Sequence, residues 1–254
     1  YFFRDISWVG NTKYSSERLT EFLMIERGDI FDQTLLDDRL VMAPDAVNNA
    51  YLNEGYLFYR STPVEVNIEG DSIDLEIRIY EGPQARINNI TITGNDRTNE
   101  HVIRREIRSK PGELFNRSEV MRSVRELAQL GFFDPESINP IPVPDPENGT
   151  VDIEYQLVER ANDQIEISGG WGAGMVIGTL GVRFGNFSAR NLFNKDAWRP
   201  LPSGDGQNLS LRAQSNGKYY QSYSASFVEP WLGGRKPNSL SVSLYRTVQT
   251  NGRQ

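Results

Sequence analysis

The first 160 residues contain an internal repeat, and this repeat limits the possible folds more than any other feature of the sequence. The segment Ile6–Asn11 (ISWVGN) recurs as Ile90–Asn95 (ITITGN), and Gly28–Phe31 recurs at the same separation as Gly112–Phe115. Each copy also closes on a glutamate, Glu81 in the first and Glu159 in the second. A chain that repeats itself in this way builds one small structural unit twice.

Within each copy the pattern predicts the element order β-α-α-β-β. The first strand alternates apolar and polar residues and ends at Gly-Asn, which tolerates the positive φ of a tight turn. A helix with a polar N-cap follows, then a second helix over residues 35–54 or 117–130, ended by Gly55 or Gly131. Two strands complete each copy, over residues 57–66 and 73–80 in the first and over 138–143 and 151–158 in the second. We therefore predict the α+β class, with two helices on one face of each small sheet.

The character of the sequence changes at about residue 162. Five segments of about ten residues now alternate apolar and polar side chains and are separated by turns rich in Gly, Asn, Pro and Ser, which is typical of transmembrane β-strands. Their apolar faces carry Ile165, Ile167 and Trp171; Leu180, Val182 and Phe184; Leu209, Leu211 and Ala213; Tyr223, Ala225 and Phe227; and Leu240, Val242 and Leu244. A soluble sheet with one solvated face gives the same pattern in a single strand. Five such segments in succession favour the membrane barrel.

Aromatic residues at the strand ends support a membrane assignment, because an aromatic girdle marks each lipid interface of a barrel. We predict this position for Trp171, Trp198, Trp231, Tyr219 and Tyr220. Five strands are too few to close a transmembrane barrel, since the smallest have eight. The expectation is therefore a fragment that holds the opening strands of a larger barrel.

Composition excludes several classes of protein. The net charge of -7 and the pI near 5.0 argue against a nucleic-acid partner, which requires a surplus of Lys and Arg on one face. The absence of cysteine excludes disulfides, thiolate metal sites and thiol nucleophiles. No apolar run reaches the roughly 20 residues of a membrane-spanning helix. The mean hydropathy of -0.52 remains compatible with barrel strands, whose residues alternate.

The sequence offers little for catalysis or cofactor binding. Its single histidine, His101, lies at the start of a predicted helix and is interpreted as a solvated residue, because a lone histidine rarely forms a site. The glycines of the first barrel segment do not have the spacing of a phosphate-binding turn. We therefore predict no enzymatic activity, no catalytic residues, no metal site and no cofactor.

The two repeats resemble polypeptide-transport-associated (POTRA) domains, and the repeats together with the barrel onset resemble the BamA family of outer-membrane protein assembly factors. The resemblance covers essentially the whole chain. It rests on the motifs Gly94–Thr98, Ile103–Glu106, Pro111–Phe115, Leu130–Phe133, Ser168–Gly172, Asn186–Phe193 and Glu229–Trp231. The sequence around Asp205–Gln207 and Trp231–Gly234 most resembles that of the Bacteroidetes branch of the family.

This resemblance implies a domain division and a function. Residues 1–81 are expected to form the penultimate POTRA domain, 82–160 the last one, and 161–254 the first strands of an incomplete barrel. The family fold places the barrel in the outer membrane of a Gram-negative cell and the POTRA domains in the periplasm. The implied function is folding and insertion of nascent outer-membrane β-barrel proteins without ATP. The implied partners are those client proteins, accessory assembly lipoproteins and the lipid bilayer.

The first barrel strand is the predicted site of strand addition. Its glycines remove side chains that would pack against neighbours, which weakens the pairing of the strand, although they also permit barrel curvature. An open edge of this kind templates an incoming strand by β-augmentation. The predicted seam comprises Gln164, Ile165, Glu166, Ile167, Ser168, Gly169, Gly170, Trp171, Gly172 and Gly174.

Two further strand edges and two other functions stay open at this point. The outer strands at about 57–66 or 138–143 offer similar edges to an extended substrate or to an accessory lipoprotein. A POTRA-barrel transporter that secretes one dedicated passenger has the same organisation. The barrel part of a fused phospholipase is the other alternative, although no Gly-x-Ser-x-Gly elbow occurs in these residues. A simple pore is a weaker interpretation, because pores do not need tandem soluble repeats.

Overall fold

The computed structural model describes residues 1–172, 175–198, 201–217 and 219–250. The chain forms two compact units. One contains residues 1–91, 107–124 and 140–155, and the other contains residues 92–106, 125–139 and 156–254. The second repeat therefore contributes residues to both units.

The first repeat folds into a three-stranded sheet with short helices. Strand order is β1-β3-β2; β1 and β3 are parallel, whereas β2 and β3 are antiparallel. The parallel pair requires a crossover between its strands, and the helices supply it. The elements are β1 (Phe2–Val9), α1 (Ser16–Leu23), α2 (Gln33–Asp37), α3 (Val47–Leu52), β2 (Arg60–Glu69) and β3 (Ser72–Tyr80).

The core of this repeat follows from the amphipathic pattern of its elements. The Ser15 side chain caps α1 by accepting from the Arg18 backbone N–H, and the helix then buries Leu19 and Leu23 completely. The buried Trp8 indole donates to Thr20 Oγ1 at 2.9 Å, which satisfies the polar atom of an otherwise apolar side chain. The remaining core residues are Phe3, Ile25, Leu36, Leu40, Val47, Tyr51, Tyr59, Leu75, Ile77 and Ile79.

The second helix of the first repeat is broken, and its prediction as one helix over residues 35–54 is wrong. Helix α2 passes into a π-helical turn, Asp38–Met42, and α3 begins only at Val47. Pro44 explains the break, because the residue before a proline is forced out of the helical region. Accordingly, Ala43 is extended, with ψ of 148°.

The second repeat has the same architecture, but its second helix is one continuous element. Its sheet has the order β4-β6-β5, equivalent to that of the first repeat. None of the helices in the described ranges is long and apolar enough to cross a membrane. The elements are β4 (Arg86–Thr93), α4 (Glu100–Arg104), α5 (Arg117–Gln129), β5 (Asn139–Asp145) and β6 (Thr150–Gln156).

Asn53 joins the two repeats within the first unit. Its side-chain oxygen accepts from both the backbone N–H and the hydroxyl of Ser118, each at 2.9 Å, in the first turn of α5. Its backbone carbonyl accepts from Asn116 Nδ2 at 2.9 Å. The side chain thus satisfies a helix N-terminus that belongs to the following repeat.

The third part is a five-stranded antiparallel sheet with the order β11-β10-β9-β8-β7. Each strand pairs with its neighbour in sequence, and the register places the five predicted apolar faces on one side. One such row joins Ile165, Val182, Leu211, Ala225 and Leu244 across all five strands. The strands are β7 (Gln164–Gly172), β8 (Met175–Phe187), β9 (Gln207–Ser215), β10 (Tyr220–Glu229) and β11 (Leu240–Gln249).

Candidate functional site

The predicted seam coincides with β7, which is an edge strand. In the part of the chain that the structure describes, β7 pairs with β8 along one side and no strand pairs with its other side. Such an edge presents backbone N–H and C=O groups in a row. All seam residues from Gln164 to Gly172 belong to this strand, whereas Gly174 lies outside the described residues.

The two faces of β7 differ in chemistry. Ile165, Ile167 and Trp171 point to the apolar face and are 74%, 79% and 83% exposed. Large apolar side chains exposed to this degree indicate a surface that contacts lipid or another protein. The opposite face carries Gln164, Glu166, Ser168 and Gly170, which alternate with these residues along the strand.

The glycines of β7 are not required by local crowding. A Cβ atom at Gly170 would meet nothing within 4 Å, and one at Gly169 would meet only the Ile177 carbonyl oxygen, at 3.8 Å. Neither glycine has a positive φ. Larger residues therefore fit at both positions, and neither the backbone conformation nor the neighbouring atoms require glycine there.

The predicted interface aromatics occupy both ends of the sheet. Trp171 is exposed near the C-terminal end of β7, and Tyr219 is exposed just before β10, which begins at Tyr220. Trp198 is exposed in the β8–β9 connection. Their contact with lipid stays a prediction. Trp231 has a different environment: its indole donates to Glu106 Oε1 at 3.1 Å, and its ring centre lies 5.2 Å from the Arg105 guanidinium carbon. The indole N–H is therefore already bonded to the protein.

Arg105 and Glu106 form a partly buried charged pair beside this tryptophan. The two side chains approach to 3.5 Å, and their exposed fractions are only 10% and 17%. Burial raises the pKa of Glu106 above its usual range, although the Arg105 charge and the Trp231 hydrogen bond oppose this effect. Burial likewise lowers the pKa of Arg105. Each charge depends on the other here, because an isolated buried charge is strongly unfavourable.

A buried polar network lies next to this pair, and the sequence analysis did not identify it. We call Thr98, Asn99, Asn186, Ser188 and Asp205 the junction network. Asp205 accepts from the Ser188 hydroxyl at 2.6 Å and from Asn99 Nδ2 at 2.8 Å. Asn186, in a left-handed conformation with φ of 55°, donates to Thr98 Oγ1 at 2.8 Å. The network ties the start of α4 to the turn between β8 and β9.

Backbone contacts reinforce the junction network. The Asn99 N–H donates to the Gly204 carbonyl at 2.9 Å, and the Gly204 N–H donates to the Asn186 carbonyl at 2.8 Å. The Gly206 N–H donates to Asn186 Oδ1 at 2.9 Å. Thr98, Asn186, Ser188 and Asp205 are all buried. Since buried polar groups with complete hydrogen bonding specify a unique arrangement, the network fixes the residues before α4 against the end of β8 and the β8–β9 connection.

The acidic and histidine side chains of the described residues do not gather into a metal site. No group of three or more His, Asp or Glu side chains in these residues is placed to hold a metal ion. His101 is half exposed on α4, with Nε2 at 3.5 Å from Asp205 Oδ1.

The family model described as "POTRA: Surface antigen variable number repeat" matches residues 1–82 and 85–160. The chain belongs to the POTRA family. The chain is 31% identical over 166 residues to the Outer membrane protein assembly factor BamA of Neisseria meningitidis, an alignment that covers 65% of this chain and 19% of the relative. It is 25% identical over 236 residues to the Putative outer membrane protein assembly factor of Treponema pallidum, with coverages of 92% and 26%. The chain thus spans about a fifth to a quarter of these curated relatives.

A solved structure extends the likeness to the sheet that follows the POTRA repeats. It is the crystal structure of BamA from Haemophilus ducreyi lacking POTRA domains 1-3, with a TM-score of 0.76 and 22% identity over 100% of this chain and 44% of that chain. The fold class is therefore confirmed: two POTRA repeats precede a five-stranded antiparallel sheet that matches the start of that barrel. Assignment to the Bacteroidetes branch stays a prediction.

The closing glutamates have the same task in both POTRA repeats. Glu81 Oε1 accepts from the backbone N–H groups of Thr12 and Lys13 at 2.8 and 2.9 Å, just after the Gly-Asn turn. Glu159 accepts from the N–H groups of Arg97 and Thr98 at 2.8 and 2.6 Å. The repeat in the sequence therefore marks a carboxylate that satisfies the donors of a turn.

Glu81 shows the electrostatic consequence of this arrangement. Burial alone would raise the pKa of its carboxyl, but hydrogen bonds from Thr12, Lys13 and Tyr51 outweigh that effect and lower the pKa below its usual range. The Tyr51 hydroxyl donates to Glu81 Oε1 at 3.0 Å, and burial together with this carboxylate raises the pKa of Tyr51. The charged carboxylate is therefore the form that the folded repeat stabilises.

Proposed function

We propose that this chain is the POTRA-barrel junction of a central subunit of the outer-membrane β-barrel assembly machinery. The subunit folds and inserts nascent outer-membrane proteins by templating their strands on β7. The observation that carries the proposal is the combination of an exposed apolar sheet face with a first strand, β7, whose Gly169 and Gly170 are required neither by backbone conformation nor by neighbouring atoms. The relatives in Neisseria and Treponema carry the names of assembly factors, which supports it.

The physical basis is the cost of an unpaired edge in lipid. Hydrocarbon offers no partner for backbone N–H and C=O groups, so an open edge at membrane depth must be paired by another strand. An incoming client strand supplies that partner, and the hydrogen bonds gained drive its addition without a nucleotide. In the proposed barrel, β7 also pairs with a closing strand from the remainder of the protein. Its glycines keep that pairing weak enough to exchange.

The proposed location follows from the two faces of the sheet. The exposed apolar face of β7 to β11 lies against the hydrocarbon of the outer membrane, and the POTRA repeats lie in the periplasm. The bilayer is therefore one partner. Client polypeptides and accessory lipoproteins of the same machinery are the others.

Gly170→Val tests the role of β7 directly. The space around Gly170 accommodates the side chain, so the barrel is expected to fold. A β-branched residue strengthens strand pairing by up to about 1 kcal/mol, so exchange at the seam should slow and client assembly should fall about fivefold. The measurement is the rate of client-barrel folding by the full-length protein in phospholipid vesicles.

Ser210→Val is the control for this test. Ser210 lies on β9, which pairs with β8 and β10 but not with β7, and its side chain is on the same face of the sheet as Gly170. Client folding at the wild-type rate with Gly170→Val, or an equal loss with Ser210→Val, would contradict templating at β7.

The POTRA sheets offer further edges, and their proline content separates the two outer strands. β5 contains prolines at every second position, Pro140, Pro142 and Pro144, whereas β2 contains only Pro63. Alternate residues of a strand direct their N–H groups to the same edge. Because β5 keeps its pairing with β6, its prolines must face the free edge, which therefore lacks three successive donors. We infer that β2 accepts an extended partner strand and that β5 does not.

Site-specific photocrosslinking distinguishes these edges. Ile68 on β2 and Val143 on β5 are each 53% exposed, which makes them matched positions for a photoreactive amino acid. Client or lipoprotein adducts are expected several times more often at Ile68. Replacing the three β5 prolines with threonine should raise the yield at Val143, because the donors return. Equal yields at both positions in the unmodified protein would show that the prolines do not block β5.

A further inference from the structure

One row of the five-stranded sheet contains an ion pair that passes over an intervening strand. Glu166 on β7 lies opposite Gly181 on β8, and Gly181 lies opposite Arg212 on β9. Arg212 Nη2 nevertheless donates to Glu166 Oε1 at 2.9 Å. Neighbouring strands are about 4.8 Å apart, so this contact spans roughly 10 Å of sheet. It joins the edge strand to a strand with which it shares no backbone hydrogen bond.

Gly181 makes this contact possible. A Cβ atom at this position would lie 3.1 Å from Glu166 Oε2 and 3.3 Å from Glu166 Cβ, with Arg212 Cγ at 3.8 Å. The side chains of Glu166 and Arg212 therefore occupy the space above Gly181. Its φ is not in the left-handed region, so the backbone alone does not require glycine.

The pairing of β7 with β8 otherwise has few side chains to fix its register. Gly169 lies opposite Gly178, and Gly170 and Gly172 follow in the same half of the strand. Glycine-rich strands specify register weakly and are prone to slippage. A slipped template would offset every strand added to it.

We propose that Glu166, Gly181 and Arg212 form a register lock, in which Glu166 is a positioning residue for the templating strand. The inference rests on the proposed function of β7 as a template. The lock holds the half of β7 that begins at Gln164 in one register, while the glycine half remains free to exchange partners. It acts through an ion pair and not through contact with the client.

The alternative registers define what the lock has to oppose. Displacement by two residues keeps the faces of the sheet unchanged. In one direction Glu166 would face Thr179 and lose its route to Arg212. In the other it would face Arg183, which in the observed register lies opposite Gln164 on the same face. Arg183 is therefore the competing partner and also supplies a matched control.

Disulfide trapping measures the register without any client. Residues 1–254 contain no cysteine, so after any cysteine elsewhere in the full-length protein is replaced by serine, single pairs can be introduced and tested in phospholipid vesicles. Ile167→Cys with Leu180→Cys reports the observed register. Ile167→Cys with Gly178→Cys or with Val182→Cys reports the two slipped registers. The measured quantity is the ratio of slipped to observed crosslinks.

Glu166→Gln, Arg212→Gln and Gly181→Val are each expected to raise this ratio about two- to fivefold, the range that a half-exposed ion pair supports. Exchanging the charges, with Glu166→Arg and Arg212→Glu together, should restore the wild-type ratio. Arg183→Gln removes the same charge from the same face and should not raise it. If Gly181→Val does not fold, the two glutamine variants and the exchange decide.

An unchanged ratio in Glu166→Gln and Arg212→Gln would overturn the lock, as would an equal rise in Arg183→Gln or a charge exchange that fails to restore the ratio. These outcomes concern register alone. Client folding by the same variants is measured separately, so a protein with a locked register that assembles no client would refute the proposed function and leave the lock intact.

Discussion

Gly94→Ala is expected to destabilise the second POTRA repeat by about 3 kcal/mol or more, because the new side chain meets both strain and a clash. Gly94 has a φ of 83°, and a Cβ atom there would lie 1.9 Å from the Leu157 carbonyl oxygen. Gly10 is its counterpart in the first repeat, with a φ of 90° and a Cβ position 2.2 Å from the Ile79 carbonyl oxygen. Gly10→Ala should therefore have an effect of similar size.

Gly112→Ala separates the two causes. Gly112 also has a φ of 90°, but a Cβ atom there would meet nothing within 4 Å. Only the backbone strain remains, so the expected loss is about 1 kcal/mol. Urea unfolding of the full chain followed by circular dichroism gives the free energies. An equal decrease in the free energy of unfolding for Gly94→Ala and Gly112→Ala would show that the clash with the Leu157 carbonyl does not contribute.

These glycines show what the repeat in the sequence can predict. The Gly-Asn ending of each first strand predicted a turn with positive φ, and both glycines adopt it. Comparison of the two copies of the repeat also identified the closing glutamates, Glu81 and Glu159, but it did not indicate their role. That role depends on the fold, which brings each carboxylate to turn residues more than 60 positions away in the chain.

The five-stranded sheet was predicted well because its signal is local. Strict alternation fixes which residues share a face, and turn residues fix where each segment ends. The break in the second helix has a signal in the sequence, because Pro44 lies inside the predicted span of residues 35–54. The helical spacing of the apolar residues on both sides of Pro44 nevertheless favours one continuous helix, and that prediction gave too little weight to the proline. The effect of the alternating prolines of β5 could be inferred only from the strand order, which places β5 at an edge of its sheet.

The environment of Trp231 and the junction network could not be predicted in this way. Trp231 contacts Glu106 across 125 positions of sequence, and Asn186 contacts Thr98 across 88. Neither pair has a pattern in one sequence that indicates the other partner. Both follow from the way the end of β8 and the turn after β10 pack against the residues that flank α4, which is a property of tertiary packing.

Asp205→Ala is expected to open the junction network. Asp205 is only 5% exposed, and its two carboxylate oxygens accept from Ser188 and Asn99. Removing the acceptor leaves these donors without their partner, which costs about 2–3 kcal/mol. Amide hydrogen exchange at Asn99 and Gly204, whose N–H groups bond within the same junction, should accelerate about 30- to 150-fold.

Two controls define the meaning of that result. Asp196→Ala removes an exposed carboxylate from the same β8–β9 connection and should change stability by less than about 0.5 kcal/mol. Asp205→Asn keeps one acceptor oxygen and should give an intermediate effect. If the network couples the second POTRA repeat to the strands that follow it, Asp205→Ala should also slow client folding in vesicles while the disulfide-trapped register of β7 stays unchanged. Unaltered amide exchange at Asn99 and Gly204 would instead show that the Asp205 carboxylate does not stabilise the junction, and that the backbone hydrogen bonds alone hold it together.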